Sequence, residues 1–215
     1  MKDYLFFDLD GTLSDPAEGI CGSVVYALQK GGYAAKDMTA YHSWIGPPLV
    51  PSFMDELGVD EAEAYRLVEL YRENFSTKGI FQNTVYPGIP ELLRELNAKG
   101  KKLLIVTGKP TEFAERIADY FGVADCFAKV CGIPMDNEAM TKEQTLQGAL
   151  DFLGKPDLSR CLMIGDRHHD IEAAHVCHMD GAYVLYGYGS EEEANICKAE
   201  FVVDTVEALR KLLLS

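Results

Sequence analysis

With 215 residues, 47% of them hydrophobic, the chain is long enough for one globular domain of moderate size or a core domain carrying an insertion. A formal net charge of −14 with no Lys/Arg cluster argues against a duplex nucleic-acid surface, because phosphate backbones are held by basic patches. No segment approaches the roughly 20 apolar residues of a membrane span, and the apolar run at the amino terminus is too short for a secretory leader. The expectation is a cytoplasmic protein with no nucleic-acid and no membrane partner.

The first element, Tyr4-Leu5-Phe6-Phe7, reads as a buried strand that ends abruptly in Asp8-Leu9-Asp10-Gly11-Thr12. Side chains at i and i+2 share a face, and a glycine lets the chain turn sharply, so Asp8 and Asp10 can converge on one point suited to a divalent cation. Alone, such a pattern is more often a turn whose acids bond backbone amides. The rest of the chain decides between the two.

From about residue 16 to 86 no convincing strand occurs. Asp15 and Pro16 open a helix with Ile20, Val24, Ala27 and Leu28 along one face and Gly31-Gly32 as its stop. A second helix is expected after Pro51. A third is expected from about 60 to 76, with Ala64, Leu67, Val68, Tyr71 and Phe75 inward. Trp44 is expected to pack within this insertion, and Gly46, Arg72 and Lys78 are its candidates for contact with a substrate.

Beyond residue 87 strand and helix alternate. Ile89, Leu92, Leu93 and Leu96 recur at helical spacing up to a stop at Gly100, and the run Leu103-Leu104-Ile105-Val106 follows. That run closes in Thr107-Gly108-Lys109, where the Thr107 hydroxyl either meets a phosphate or caps the helix that begins near Pro110. Lys142 follows Thr141 at the start of a helix marked by Leu146, Ala149, Leu150 and Leu153. Its ammonium either faces an anion beside the helix amino terminus or lies on a solvated face. The run Cys161-Leu162-Met163-Ile164 ends in Gly165-Asp166-Arg167-His168-His169-Asp170, a second strand tipped with acids. Further strands are expected at Tyr183-Val184-Leu185 and Phe201-Val202-Val203.

This alternation predicts an α/β fold, a doubly wound parallel, Rossmann-like sheet covered on both faces, with a small helical domain inserted after the first strand. The division falls at 1–15 and 87–215 for the core and 16–86 for the insertion. His168, His169, His175 and His178 are read as loop or surface residues rather than a second metal site, with His168 or His169 at the substrate edge. The six cysteines are scattered without a Cys-x-x-Cys pair and are read as reduced packing thiols.

The order of these features (Asp8-Leu9-Asp10-Gly11-Thr12, then a strand-ending Thr107, then Lys142, then Gly165-Asp166 with Asp170) resembles the haloacid dehalogenase-like superfamily, over the whole chain. An insertion between the first and second motifs is similar to the branch with a helical cap, which includes phosphoglycolate phosphatases, 5′-nucleotidase-like phosphatases and β-phosphoglucomutases. Ile45-Gly46-Pro47-Pro48-Leu49 and Leu185-Tyr186-Gly187-Tyr188-Gly189 are similar to phosphoglycolate phosphatase-like and 5′-nucleotidase-like members.

The resemblance implies that Asp8 is a nucleophile forming an aspartyl-phosphate and that Asp10 is the general acid and base. It also implies Mg2+ held by the Asp8 carboxylate, the Asp10 main-chain carbonyl and Asp166, with Asp170 in support. Thr107, the Gly108 amide and Lys142 would bind the phosphoryl oxygens, and the insertion would close over the cleft. The implied activity is phosphatase action on a phosphomonoester of a small metabolite, phosphoglycolate-like or a nucleoside monophosphate, by a monomer or homodimer. A β-phosphoglucomutase-like phosphomutase and a catalytically silent binding protein on the same scaffold are the alternatives.

Overall fold

The computed structural model describes residues 2–135 and 140–215. Two compact units share the chain, one formed by Met1–Asp15 with Val85–Ser215 and the other by Pro16–Thr84.

The first unit opens with β1 (Tyr4–Phe7), and short strands β2 (Ser14–Asp15) and β3 (Thr84–Val85) mark where the chain leaves it and returns. Then follow α4 (Ile89–Ala98), β4 (Lys102–Pro110), α5 (Thr111–Tyr120), β5 (Lys129–Ile133), α6 (Lys142–Phe152), β6 (Cys161–Gly165), α7 (His168–Val176), β7 (Asp180–Val184), α8 (Glu191–Cys197), β8 (Phe201–Val203) and α9 (Val206–Leu214). α1 (Ala17–Gly31), α2 (Leu49–Leu57) and α3 (Glu61–Phe75) belong to the second unit.

Six parallel strands form the sheet in the order β5-β4-β1-β6-β7-β8. Leu5, Phe6 and Phe7 are all fully buried although successive side chains point to opposite faces, so both faces of the central strand are covered. On one face Phe6, Leu104 and Met163 pack with Leu146, Ala149 and Leu150 of α6 and Ala173 and Ala174 of α7. The expected doubly wound fold is therefore observed. The neighbours of β1 are β4 and β6, and the chain passes from one side of β1 to the other between β5 and β6. That reversal opens a crevice beyond the carboxyl ends of these strands, the place where such sheets bind ligands.

β5 was not expected. It is an edge strand whose Gly132 has a packing role: a Cβ there would lie 2.4 Å from the Lys109 carbonyl oxygen. β7 starts earlier than the apolar run Tyr183-Val184-Leu185 suggests, at Asp180.

In the second unit, α1 and α3 approach closely. Gly19 in α1 makes room for the chain at Gly79, whose carbonyl oxygen would be 2.0 Å from a Cβ at Gly19. Ser23 donates to the Gly19 carbonyl at 2.7 Å and accepts from Asn74 at 3.0 Å. Trp44 is buried edge-on between Tyr41 (5.3 Å) and Phe53 (5.1 Å), as expected of a packing residue. α2 begins at Leu49, ahead of Pro51. Proline is accommodated there because first-turn amides have no intrahelical acceptor to lose. No helix among the described residues is long and apolar enough to cross a membrane, and all six cysteines are free and buried.

Candidate active site

Strand register assembles the site. Phe7 pairs with both Ile105 and Ile164, so the residues just past these positions emerge at one edge of the sheet. Asp8 extends the ladder by donating its main-chain N–H to the Ile164 carbonyl at 2.9 Å, and Thr107 and Asp166 follow at the ends of the flanking runs. Gly11 then turns the chain with φ +80°, and a Cβ there would lie 2.1 Å from Asp166 Oδ2. Glycine is required for both reasons. Asp8, Thr107, Lys109, Asp166 and Asp170 are all buried.

Lys142 is the first residue of α6, behind a Thr141 cap that accepts from the Gln144 amide. Its Nζ lies 2.8 Å from Asp8 Oδ2 and also contacts Asp170 Oδ1. Asp170 Oδ2 accepts the Arg167 amide at 3.1 Å, which closes the first turn of α7. Asp166 is held from two sides: Thr12 Oγ1 donates to Oδ1 at 3.3 Å and the Tyr188 amide donates to Oδ2 at 2.8 Å. Lys109 Nζ lies 2.8 Å from Asp10 Oδ2. Among the described residues, Asp8 Oδ1 and Asp10 Oδ1 are buried and accept no hydrogen bond.

The Thr107 hydroxyl accepts from the Lys109 amide at 3.3 Å, whereas α5 is preceded by Pro110 at its cap. The helix-capping alternative for Thr107 is thereby set aside. Gly108 has open space where a side chain would be.

Burial is the largest influence on Asp10, Asp166 and Asp170. It pushes Asp166 up to about 8, with repulsion from Asp170 and Asp8 adding to it. Burial likewise raises Asp170, against the pull of Lys142, and raises Asp10 against the pull of Lys109. For Lys142 burial opposes the charge, but Asp170 and Asp8 outweigh it and hold the ammonium above the usual lysine value. Among the described residues, Asp8, Asp10, Asp166 and Asp170 gather round the ammoniums of Lys109 and Lys142 in a buried, acid-rich site. Carboxyl oxygens of Asp8, Asp166 and Asp170 lie within 4.8 Å of one another. This all-oxygen set of buried acids fits a hard divalent cation such as Mg2+.

In metal-free protein Asp166 stays protonated up to about pH 8 in the fold but ionises in the ordinary carboxylate range once unfolded. The unfolded chain thus binds fewer protons in that window, and stability declines as pH rises, by up to about 1.4 kcal/mol per pH unit for one such group. Thermal melts in EDTA should therefore fall from pH 5 to 8, Asp166→Asn should flatten the decline, and Mg2+ should offset it. A pH-independent melt identical in the variant would show that Asp166 is ionised throughout.

The loop carrying Tyr186, Gly187, Tyr188 and Gly189 contributes more than its sequence suggests. Besides the Tyr188 amide on Asp166, the Tyr186 hydroxyl donates to the Thr12 carbonyl at 3.0 Å. A Cβ on Gly187 would lie 2.4 Å from Asp166 Cβ. This loop builds the back wall of Asp166.

Among the histidines, His168 Nδ1 lies 2.8 Å from Glu193 and His175 Nε2 lies 3.0 Å from Glu200. His178 sits past the end of α7 with φ +59°, so it does not share a helix face with His175. Burial, then the neighbouring His168, lowers His169 to about 4. His168, His169 and Glu172 also offer ligand atoms within 4.8 Å of one another.

A parallel sheet whose reversal point carries two acids after β1, a hydroxyl near the end of β4, a lysine at the head of α6 and an acid after β6 defines an acid-rich α/β site. Residues 2–178 match the family model for haloacid dehalogenase-like hydrolases, and the chain belongs to that family. It is 40% identical to a 5′-nucleotidase of Pseudomonas aeruginosa, over 97% of this chain and 94% of that protein. It is 32% identical to the tyrosine-protein kinase PtkA of Mycobacterium tuberculosis, over 97% of this chain and 72% of that protein. A crystal structure of a predicted phosphatase from Clostridium acetobutylicum superposes with a TM-score of 0.93 at 38% identity, covering 100% of this chain and 99% of that one. The protein is a hydrolase acting on phosphate monoesters.

Proposed function

We propose that the protein is a Mg2+-dependent phosphatase that removes phosphate from a small metabolite through an aspartyl-phosphate on Asp8. The observation that carries this reading is the state of Asp8: buried at a strand tip, with Oδ2 on Lys142 and Oδ1 bare. Lys142 fixes the carboxylate without using the second oxygen, which is therefore available to attack phosphorus.

Asp10, whose hold on a proton burial strengthens against the pull of Lys109, gives its proton to the departing alkoxide. It then takes a proton from the water that attacks the aspartyl-phosphate. Lys142, the Thr107 hydroxyl and the Gly108 amide are donors suited to the equatorial phosphoryl oxygens, where charge concentrates during transfer. Thr107 remains able to donate because its bond to the Lys109 amide uses the hydroxyl only as an acceptor. Asp170 holds Lys142 in position and ionised. The Asp8 carboxylate, the Asp10 main-chain carbonyl and Asp166 are the groups that would hold Mg2+, which when bound supplies charge neutralisation between anionic substrate and anionic nucleophile.

A nucleoside monophosphate is the substrate class favoured by the 5′-nucleotidase relative, with phosphoglycolate-like esters next. Phosphate release should be measured on nucleoside monophosphates, phosphoglycolate and hexose phosphates, in Mg2+ and in EDTA. Turnover in Mg2+ that EDTA abolishes is the expected result. Phosphoryl transfer to a second sugar or to a tyrosine without phosphate release would replace the hydrolase reading by a mutase or a kinase.

A further inference from the structure

Lys109 stands inside the acid site, yet the chemistry above gives it no part. Its ammonium lies 2.8 Å from Asp10 Oδ2, and the two side chains are only 6% and 11% exposed. The backbone around it is shaped to bring it there. β4 loses regular pairing with β5 between Val106 and Pro110, the Lys109 amide is held by Thr107 Oγ1, and Gly132 leaves room for the Lys109 carbonyl where any side chain would collide. The other Asp10 oxygen, Oδ1, is buried and accepts no hydrogen bond among the described residues.

An ammonium has only donors to offer. While it occupies Oδ2, a proton on Asp10 has Oδ1 as its seat, and the plane of the carboxyl group is fixed. We infer that Lys109 is a positioning residue for proton transfer. It makes Oδ1 the atom that releases a proton to the leaving oxygen and that later receives one from water. The inference rests on Asp10 being the general acid and base. The competing account is a buried ion pair that merely neutralises an acid, which would make the loss of Lys109 indifferent to the leaving group.

The test compares kcat/KM for two esters in Lys109→Met: an alkyl phosphate, whose alkoxide needs a proton to depart, and p-nitrophenyl phosphate, whose phenolate does not. This ratio covers only the steps through departure of the alcohol, so hydrolysis of the common aspartyl-phosphate does not mask the comparison. General acid catalysis contributes on the order of 10²-fold or more, and the alkyl ester should lose about 10- to 100-fold while the aryl ester loses less than about threefold. Lys109→Arg should recover most of the alkyl-ester rate. In an Asp10→Asn background, Lys109→Met should add no further selective loss.

Equal losses on both esters, no loss on either, or a selective loss that persists in the Asp10→Asn background would overturn the inference. Should Lys109→Met fail to fold, Lys109→Gln carries the same comparison, with thermal melting as the folding check. Failure of both to fold, with Lys109→Arg active, would establish the purely neutralising role instead. A wild-type protein that cleaves neither ester would remove the phosphatase reading itself, whereas an active wild type with equal losses removes only the role of Lys109.

Discussion

Asp8→Asn is expected to lower phosphate release by about 10⁴-fold or more, the scale on which covalent catalysis fails when its nucleophile is removed. The amide has the shape of the carboxylate but lacks the charge and lone-pair basicity needed to attack phosphorus. The fold should survive, because the tie between this position and β6 is the main-chain bond to the Ile164 carbonyl, and Lys142 keeps its contact with Asp170. The loss should appear in kcat, with KM unchanged or lower, since an anionic substrate no longer faces a third acid beside Asp166 and Asp170. Steady-state kinetics beside thermal melts measure both. A variant that keeps a tenth of the activity would remove Asp8 from the chemistry.

The second large effect is on stability and activity together. Lys142→Met leaves Asp8 and Asp170 facing each other in a buried site without their shared cation. Breaking one side of a buried ion pair costs about 3–5 kcal/mol, and urea unfolding of metal-free protein should register a loss of that size at pH 8. The sign with pH is fixed by Asp170, which burial already raises even with Lys142 in place. Without the ammonium its folded pKa climbs further, so the folded state binds the extra proton and the deficit should shrink as pH falls toward 6. Activity should fall about 10²- to 10³-fold in Mg2+, the range seen when one preorganised donor to a transition-state oxyanion is removed. Full stability at pH 8 would mean that Lys142 does not neutralise the pair.

The elements that make the site were legible because their chemistry and their local structure coincide. An apolar run that stops at an acid marks β1 at Asp8 and β6 at Asp166, with Gly11 just after Asp10 and Gly165 just before Asp166. β5 escaped notice because Lys129-Val130-Cys131-Gly132-Ile133 is a short edge strand, with an exposed lysine at its start and a glycine required by the Lys109 carbonyl. The start of α2 differs from the expectation because Pro51, which suits the position before a helix, occupies its first turn instead. The Tyr188 amide that holds Asp166 is 22 residues further along the chain. A main-chain donor of this kind leaves no residue type for a reader of sequence to find. The pairing of Lys109 with Asp10 is equally invisible, since it depends on how an irregular strand end is seated against its neighbour.

The most direct test of the account is to quench wild-type protein in acid during turnover of its best substrate in Mg2+ and to map the resulting peptides by mass. One phosphoryl group on Asp8, absent when the alkyl or nucleoside ester is left out and absent in Asp8→Asn, is the expected result. Rapid phosphate release with Asp8 unmodified at every quench time, or a phosphoryl group on any other residue, would contradict a mechanism that runs through Asp8.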